Sequence, residues 1–178
     1  MFDSDYAIYG IHATYLKTLV NTVKAFERYI DVYMISAVLG VLNDRRSTPT
    51  ASSDRARIYA DVFNTERVKC NEIFKTVILC DTSKPWTIDE RVNICFKYSV
   101  SDSSKDDEIA SNYLSEAMEL FNSYVLGGIE ILHEIFDEKN ISSKVDAMDY
   151  AFSAIYDFHC KIDSNVGFDE NKLLNPEY

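Results

Sequence analysis

Glycine and proline are scarce in this chain, with five and three copies in 178 residues. Sandwiches and barrels spend those residues on turns, so the scarcity argues against both and for helices joined by few loops. Only three histidines accompany 29 acidic residues. Most of those acids fall on the polar faces of amphipathic helices rather than where catalysis would need them. The four cysteines, Cys70, Cys80, Cys95 and Cys160, are spread apart with no C-x-x-C pair. That argues against a zinc ribbon or a thioredoxin-type site. Cys70 and Cys95 sit among apolar residues and read as reduced, small core hydrophobes of a cytosolic chain.

Basic residues are also in deficit, 18 against 29 acids, for a net charge of −11. General binding to a phosphate backbone needs clustered Lys and Arg, so it is disfavoured, whereas basic partners are favoured. The longest nearly uncharged run, Val32–Leu42, falls short of the roughly 20 residues that cross a bilayer. The first residues, Met1-Phe2-Asp3-Ser4-Asp5, lack the basic start of a signal peptide. The expectation is a cytoplasmic protein with no membrane association. No G-x-x-x-x-G-K-[ST] loop, no G-x-G-x-x-G and no nucleophile elbow occurs. The R-x4–6-H pair of HEPN-type ribonucleases is missing at all three histidines.

What is present is helical periodicity. At 47% hydrophobic, the chain can build one core and bury roughly 70% of the surface its unfolded form exposes. The pattern predicts an all-α bundle of about five main helices over residues 1–162, with an extended or disordered tail over 163–178. The first and central helix is expected from His12 to Asn43, with Leu16, Leu19, Val23, Phe26, Ile30 and Tyr33 on one face. Its second half is apolar on nearly all sides and is either the bundle centre or a partner-facing surface. A loop follows over 44–53, then a helix to about Leu79 with Tyr59, Val62, Phe63, Cys70, Ile73, Phe74 and Val77 inward. Thr87-Ile88-Asp89-Glu90 has the form of a capping box and opens a short helix to about Tyr98. Ser99–Lys105 reads as a polar loop. A long helix is expected over 106–138, with Gly127-Gly128 marking a kink or a close helix crossing. Ser142 or Ser143 opens a last helix to about Lys161, with Val145, Met148, Phe152, Ile155 and Tyr156 inward.

Several residue groups could carry chemistry. Glu116-x-x-Glu119 and Glu134-x-x-Asp137 have the form of the acidic signature of MazG-type nucleotide pyrophosphohydrolases. In that family carboxylates from two antiparallel helices converge on Mg²⁺. On one continuous helix these four would be a solvated face, and only a chain reversal at Gly127-Gly128 would bring them together. Glu130-x-x-His133 matches half of a ferritin-like di-metal motif, without its second copy. Two polar residues fall on apolar stripes, Glu66 and His159. The plain reading pairs Glu66 with Arg28 or Arg91 and has His159 donate to a carbonyl. Arg45, Arg46, Arg55 and Arg57 cluster around Pro49, either as an anion-attracting patch or as charges paired with neighbouring acids. No cofactor is called for.

Phe26–Met34 and Leu120–Glu130 resemble small all-helical bacterial proteins of the kind found beside defence or mobile-element genes. The resemblance implies a subunit of a complex and brings no activity or site residues. The sequence reading is therefore a non-enzymatic interaction protein, binding a protein partner or a second copy of itself. Its candidate contact residues are Ile35 and Leu39, with Val32, and the Arg45–Arg57 cluster. A Mg²⁺-dependent pyrophosphohydrolase and an acidic decoy of nucleic acid are the alternatives.

Overall fold

The computed structural model describes residues 2–51, 53–99 and 108–165. The chain runs β1 (Tyr6–Tyr9), α1 (Ile11–Lys17), α2 (Tyr29–Leu42), β2 (Arg55–Ile58), α3 (Ala60–Thr65), α4 (Arg67–Cys80), α5 (Ile88–Val92), α6 (Glu108–Glu138) and α7 (Lys144–Asn165). Thr18–Thr22 prolongs α1, and Asn93–Tyr98 prolongs α5, each as a π-helical turn. The architecture is mostly all-α, with a single two-stranded sheet among the described residues. None of the described helices is long and apolar enough to cross a membrane.

The central helix is α6, not the expected His12–Asn43 helix. Its buried face, which includes Phe121, Val125, Ile129 and Leu132, runs on without interruption. Gly127-Gly128 does not bend it. The glycines mark a close crossing with α2 and the loop that follows it: a methyl group on Gly128 would collide with the Ser36 carbonyl of α2, and one on Gly127 with the Arg45 carbonyl of the loop. Gly40 of α2 answers from the other side, against the Tyr124 carbonyl. Three glycines thus let two backbones approach where side chains could not fit.

The expected first helix breaks over 23–28. Lys24 takes a left-handed conformation, φ 59°. The Ala25 amide closes back on the Leu19 carbonyl at 3.0 Å. Arg28 is extended and opens α2, with its amide donating to Asp31 Oδ2 at 3.2 Å. The break serves tertiary packing, because it tucks Val23 into a small cluster with Ile141 and Ala147. The continuous helix expected from residue 53 is also interrupted. Arg55–Ile58 is a strand, paired antiparallel to β1 with Ile8 opposite Ala56 and Tyr6 opposite Ile58. Its side chains alternate, Ala56 and Ile58 inward, Arg55 and Arg57 outward, which is the period of a strand. Tyr59, expected inside, is exposed.

Other expectations fare better. Thr87 and Glu90 form the capping box, with the Glu90 amide on Thr87 Oγ1 at 3.3 Å and the Thr87 amide on Glu90 Oε2 at 2.7 Å. Tyr33, Phe63, Phe74 and Phe121 interlock in the core, with ring centroids 5.4–5.7 Å apart. Cys70 and Cys95 are buried free thiols, and burial pushes both up to about 11. The Ser99–Lys105 loop, beyond Ser99, and the tail beyond Asn165 lie outside the described residues.

Candidate interaction surface

The turn that launches α7 is built by local chemistry. Asn140 adopts φ 52°. The Ile141 amide bonds the Phe136 carbonyl at 2.8 Å, the pattern that ends a helix on a left-handed residue. Ser143 Oγ accepts from the Asp146 amide at 3.2 Å, and Asp146 accepts from the amides of Ser142 and Ser143. These bonds satisfy the first orphan amides of α7 and set its direction.

Among the described side chains of this helix, those that pack on the body lie near its start. Ala147 is buried and Tyr150 half-buried against the cluster of Val23 and Ile141. From Ala151 to Cys160 every residue is exposed. Val145, Met148, Phe152, Ile155, Tyr156 and Phe158 are each 61–75% exposed. This overturns the inward placement expected for the first five of them. The periodicity was that of an apolar face, but the face points away from the bundle. His159 shares its fate: it is exposed rather than buried.

A second feature is a polar cluster between the loop after α2 and the middle of α6. Glu130 Oε1 accepts from Ser47 Oγ at 2.6 Å and lies 2.9 Å from His12 Nε2, while Oε2 accepts from Arg45 at 3.1 Å. Arg45 also grips Glu134 at 2.6 and 2.7 Å. His12 is fully buried. Burial pushes the Glu130 carboxyl upward, but bonds from Ser47, His12 and Arg45 outweigh it, and the net direction is down. Beside it, His133 stacks on Tyr15 with centroids 3.6 Å apart. A pocket of about 280 Å³ lies between them. Both oxygens of Glu130 are engaged, so the cluster acts as a clamp that seats the Asp44–Ser47 segment on α6. Sequence reasoning had Glu130 and His133 only as half a metal motif. Nothing in the local pattern pointed to His12 or Ser47, which are 118 and 83 positions from Glu130.

The remaining candidates separate. Arg45 is in the clamp, Arg46 donates to Ser83 at 2.8 Å, Arg57 lies 3.6 Å from Asp5, and Arg55 is exposed on the outer face of β2. Two of the four, Arg45 and Arg57, meet acids, and Arg46 meets a serine. Val32 is core and Leu39 packs partly on it, while Ile35 is exposed beside Met34, Val38 and Ile73 in a shallow apolar depression. Glu66 is buried and paired with Arg28 at 2.8 Å and Lys69 at 2.8 Å. The Lys69 and Arg28 bonds hold its carboxyl below the ordinary range. Arg91 instead caps the end of α4 and its following turn, donating to the carbonyls of Ile78, Asp81, Lys84 and Trp86. Glu116, Glu119, Glu134 and Asp137 lie on one unbroken helix. The first and last are thus about 32 Å apart along its axis. The reversal that their convergence required does not occur, and among the described residues no group of His, Cys, Asp and Glu could hold a metal ion.

Compared with protein-family models, curated proteins and solved structures, the chain matches none.

Proposed function

We propose that the protein works by binding, as a protein–protein interaction module or subunit of a larger assembly, and that α7 is its docking element. The observation that carries this reading is a helix that leaves the body with its apolar face uncovered. Contiguous apolar patches larger than a few hundred Å² are rare on monomers and mark interaction sites. An isolated helix of about 15 residues is marginal in water, so the free part of α7 gains from a partner. The engaged state of Glu130 and the spread of the four acids along α6 favour binding over catalysis. The resemblance of Phe26–Met34 and Leu120–Glu130 to helical subunits encoded near defence genes points the same way.

The test is light scattering behind a sizing column, on the purified chain and on the chain recovered from its native host. A dimer or a stoichiometric heteromer that Phe152→Asp with Ile155→Asp dissolves supports the module. A monomer with no companion, unaffected by the substitutions, overturns it.

A further inference from the structure

We infer that the occupant of the α7 face is a second copy of this chain, bound as a parallel two-stranded coiled coil. This rests on the module reading and names its partner. The exposed residues Val145, Met148, Phe152 and Ile155 recur at intervals of three, four and three. This spacing fits successive a and d positions of a heptad, the seam of a two-helix coil. At about 100° per residue their mean direction lies about 150° around the helix from Ala147 and Tyr150, where α7 meets the body. A twofold axis along the seam thus leaves the two bodies on opposite outer sides, and every residue from Ala151 to Cys160 is exposed.

The charges choose the direction. In this frame Lys144 is a g residue and Asp149 an e residue, and both are exposed. A parallel pair sets each g residue beside the e residue five positions on in its partner, so Lys144 meets Asp149 twice by symmetry. An antiparallel pair sets e against e and g against g. Asp149 would then face Asp149 or Tyr156, and Lys144 would lose its acid. Exposed ion pairs add little affinity, so this one decides orientation rather than strength. Covering the apolar side chains of both copies removes on the order of 1,000 Å², the lower bound for a biological interface.

The experiment uses the full chain. Sedimentation should give a dimer at micromolar concentration, and Phe152→Asp with Ile155→Asp should raise its dissociation constant by at least about 100-fold. The near-ultraviolet band of Trp86, which lies in the body, should stay unchanged, because both substituted residues are exposed on α7 in the single chain. In a Cys80→Ser, Cys160→Ser background, Met148→Cys and Ile155→Cys should each form an intermolecular disulfide under mild oxidation, since parallel strands set every d residue opposite itself. A dimer that cross-links through at most one of them overturns the parallel arrangement. A wild-type chain that stays monomeric, or a double variant that dimerises unchanged, overturns self-pairing. If the wild type is monomeric yet forms a heteromer that the double variant loses, self-pairing falls and the module reading stands. With neither dimer nor heteromer, both fall.

Discussion

At the scale of single residues, Gly128 sets two effects against each other. Alanine is the better helix former by about 1 kcal/mol. Yet its methyl would press on the backbone carbonyl of Ser36, which cannot rotate away as a side chain could. Overpacking of this kind costs about 1–3 kcal/mol, so Gly128→Ala should lower the urea midpoint. A raised midpoint would mean that the crossing is looser than described. Ile35 and Leu39 offer a second contrast. Ile35 is exposed, so Ile35→Asp should change stability by no more than about 0.5 kcal/mol. Leu39 packs on the core, and Leu39→Asp should cost at least about 2 kcal/mol. Equal effects at the two positions would contradict their placement. Glu130 supplies a pH test. Its folded-state pKa lies below its unfolded value, so its stabilising contribution is complete above the unfolded pKa and is lost as pH falls through the folded one. Melting temperature should therefore drop on acidification below the usual carboxylate range, near pH 4. Glu130→Gln should start lower and fall less steeply, and parallel curves for the two proteins would remove Glu130 from the acid limb.

At the scale of elements, what could be read from the sequence was what local chemistry decides. The Thr87 capping box, the start of the last helix at Ser142 or Ser143 and the long helix that became α6 depend on neighbours within a few positions. The breaks do not. Residues 12–43 keep an unbroken helical period, but Val23 finds its partners in Ile141 and Ala147, more than a hundred positions away. Arg55–Ile58 is only four residues long, and its pairing with Tyr6–Tyr9 is non-local. The α7 stripe is the most instructive case. Periodicity reports that a face is apolar, not what covers it, and the same pattern serves a core or an interface. Glu130 illustrates the same limit for polar residues, since its partners come from two distant segments, α1 and the loop after α2. Hydrogen exchange reads the difference in α7 directly. Amides of 151–160 should exchange slowly in the wild type and much faster in Phe152→Asp with Ile155→Asp, with α6 unchanged in both. Fast exchange in the wild type would deny that the helix is covered.

At the scale of the whole molecule, charge separates the ways in which an exposed apolar helix could be covered. The chain carries −11. Bringing two copies together opposes like charges on the two bodies, and salt screens that repulsion over about 10 Å at moderate ionic strength. Association with a basic protein, by contrast, draws on attraction that the same salt weakens. An acidic decoy of nucleic acid belongs to this second case, because it too would be held by opposite charge. The apolar seam itself is insensitive to modest salt, so the sign of the salt effect reports on the bodies and not on the helix. The dissociation constant of the dimer should therefore fall as sodium chloride is raised, with the Lys144–Asp149 pairs too exposed to reverse the trend. Sedimentation at several salt concentrations measures this. A complex that dissolves with rising salt would point to an oppositely charged partner on the body, and the seam would then be secondary to it.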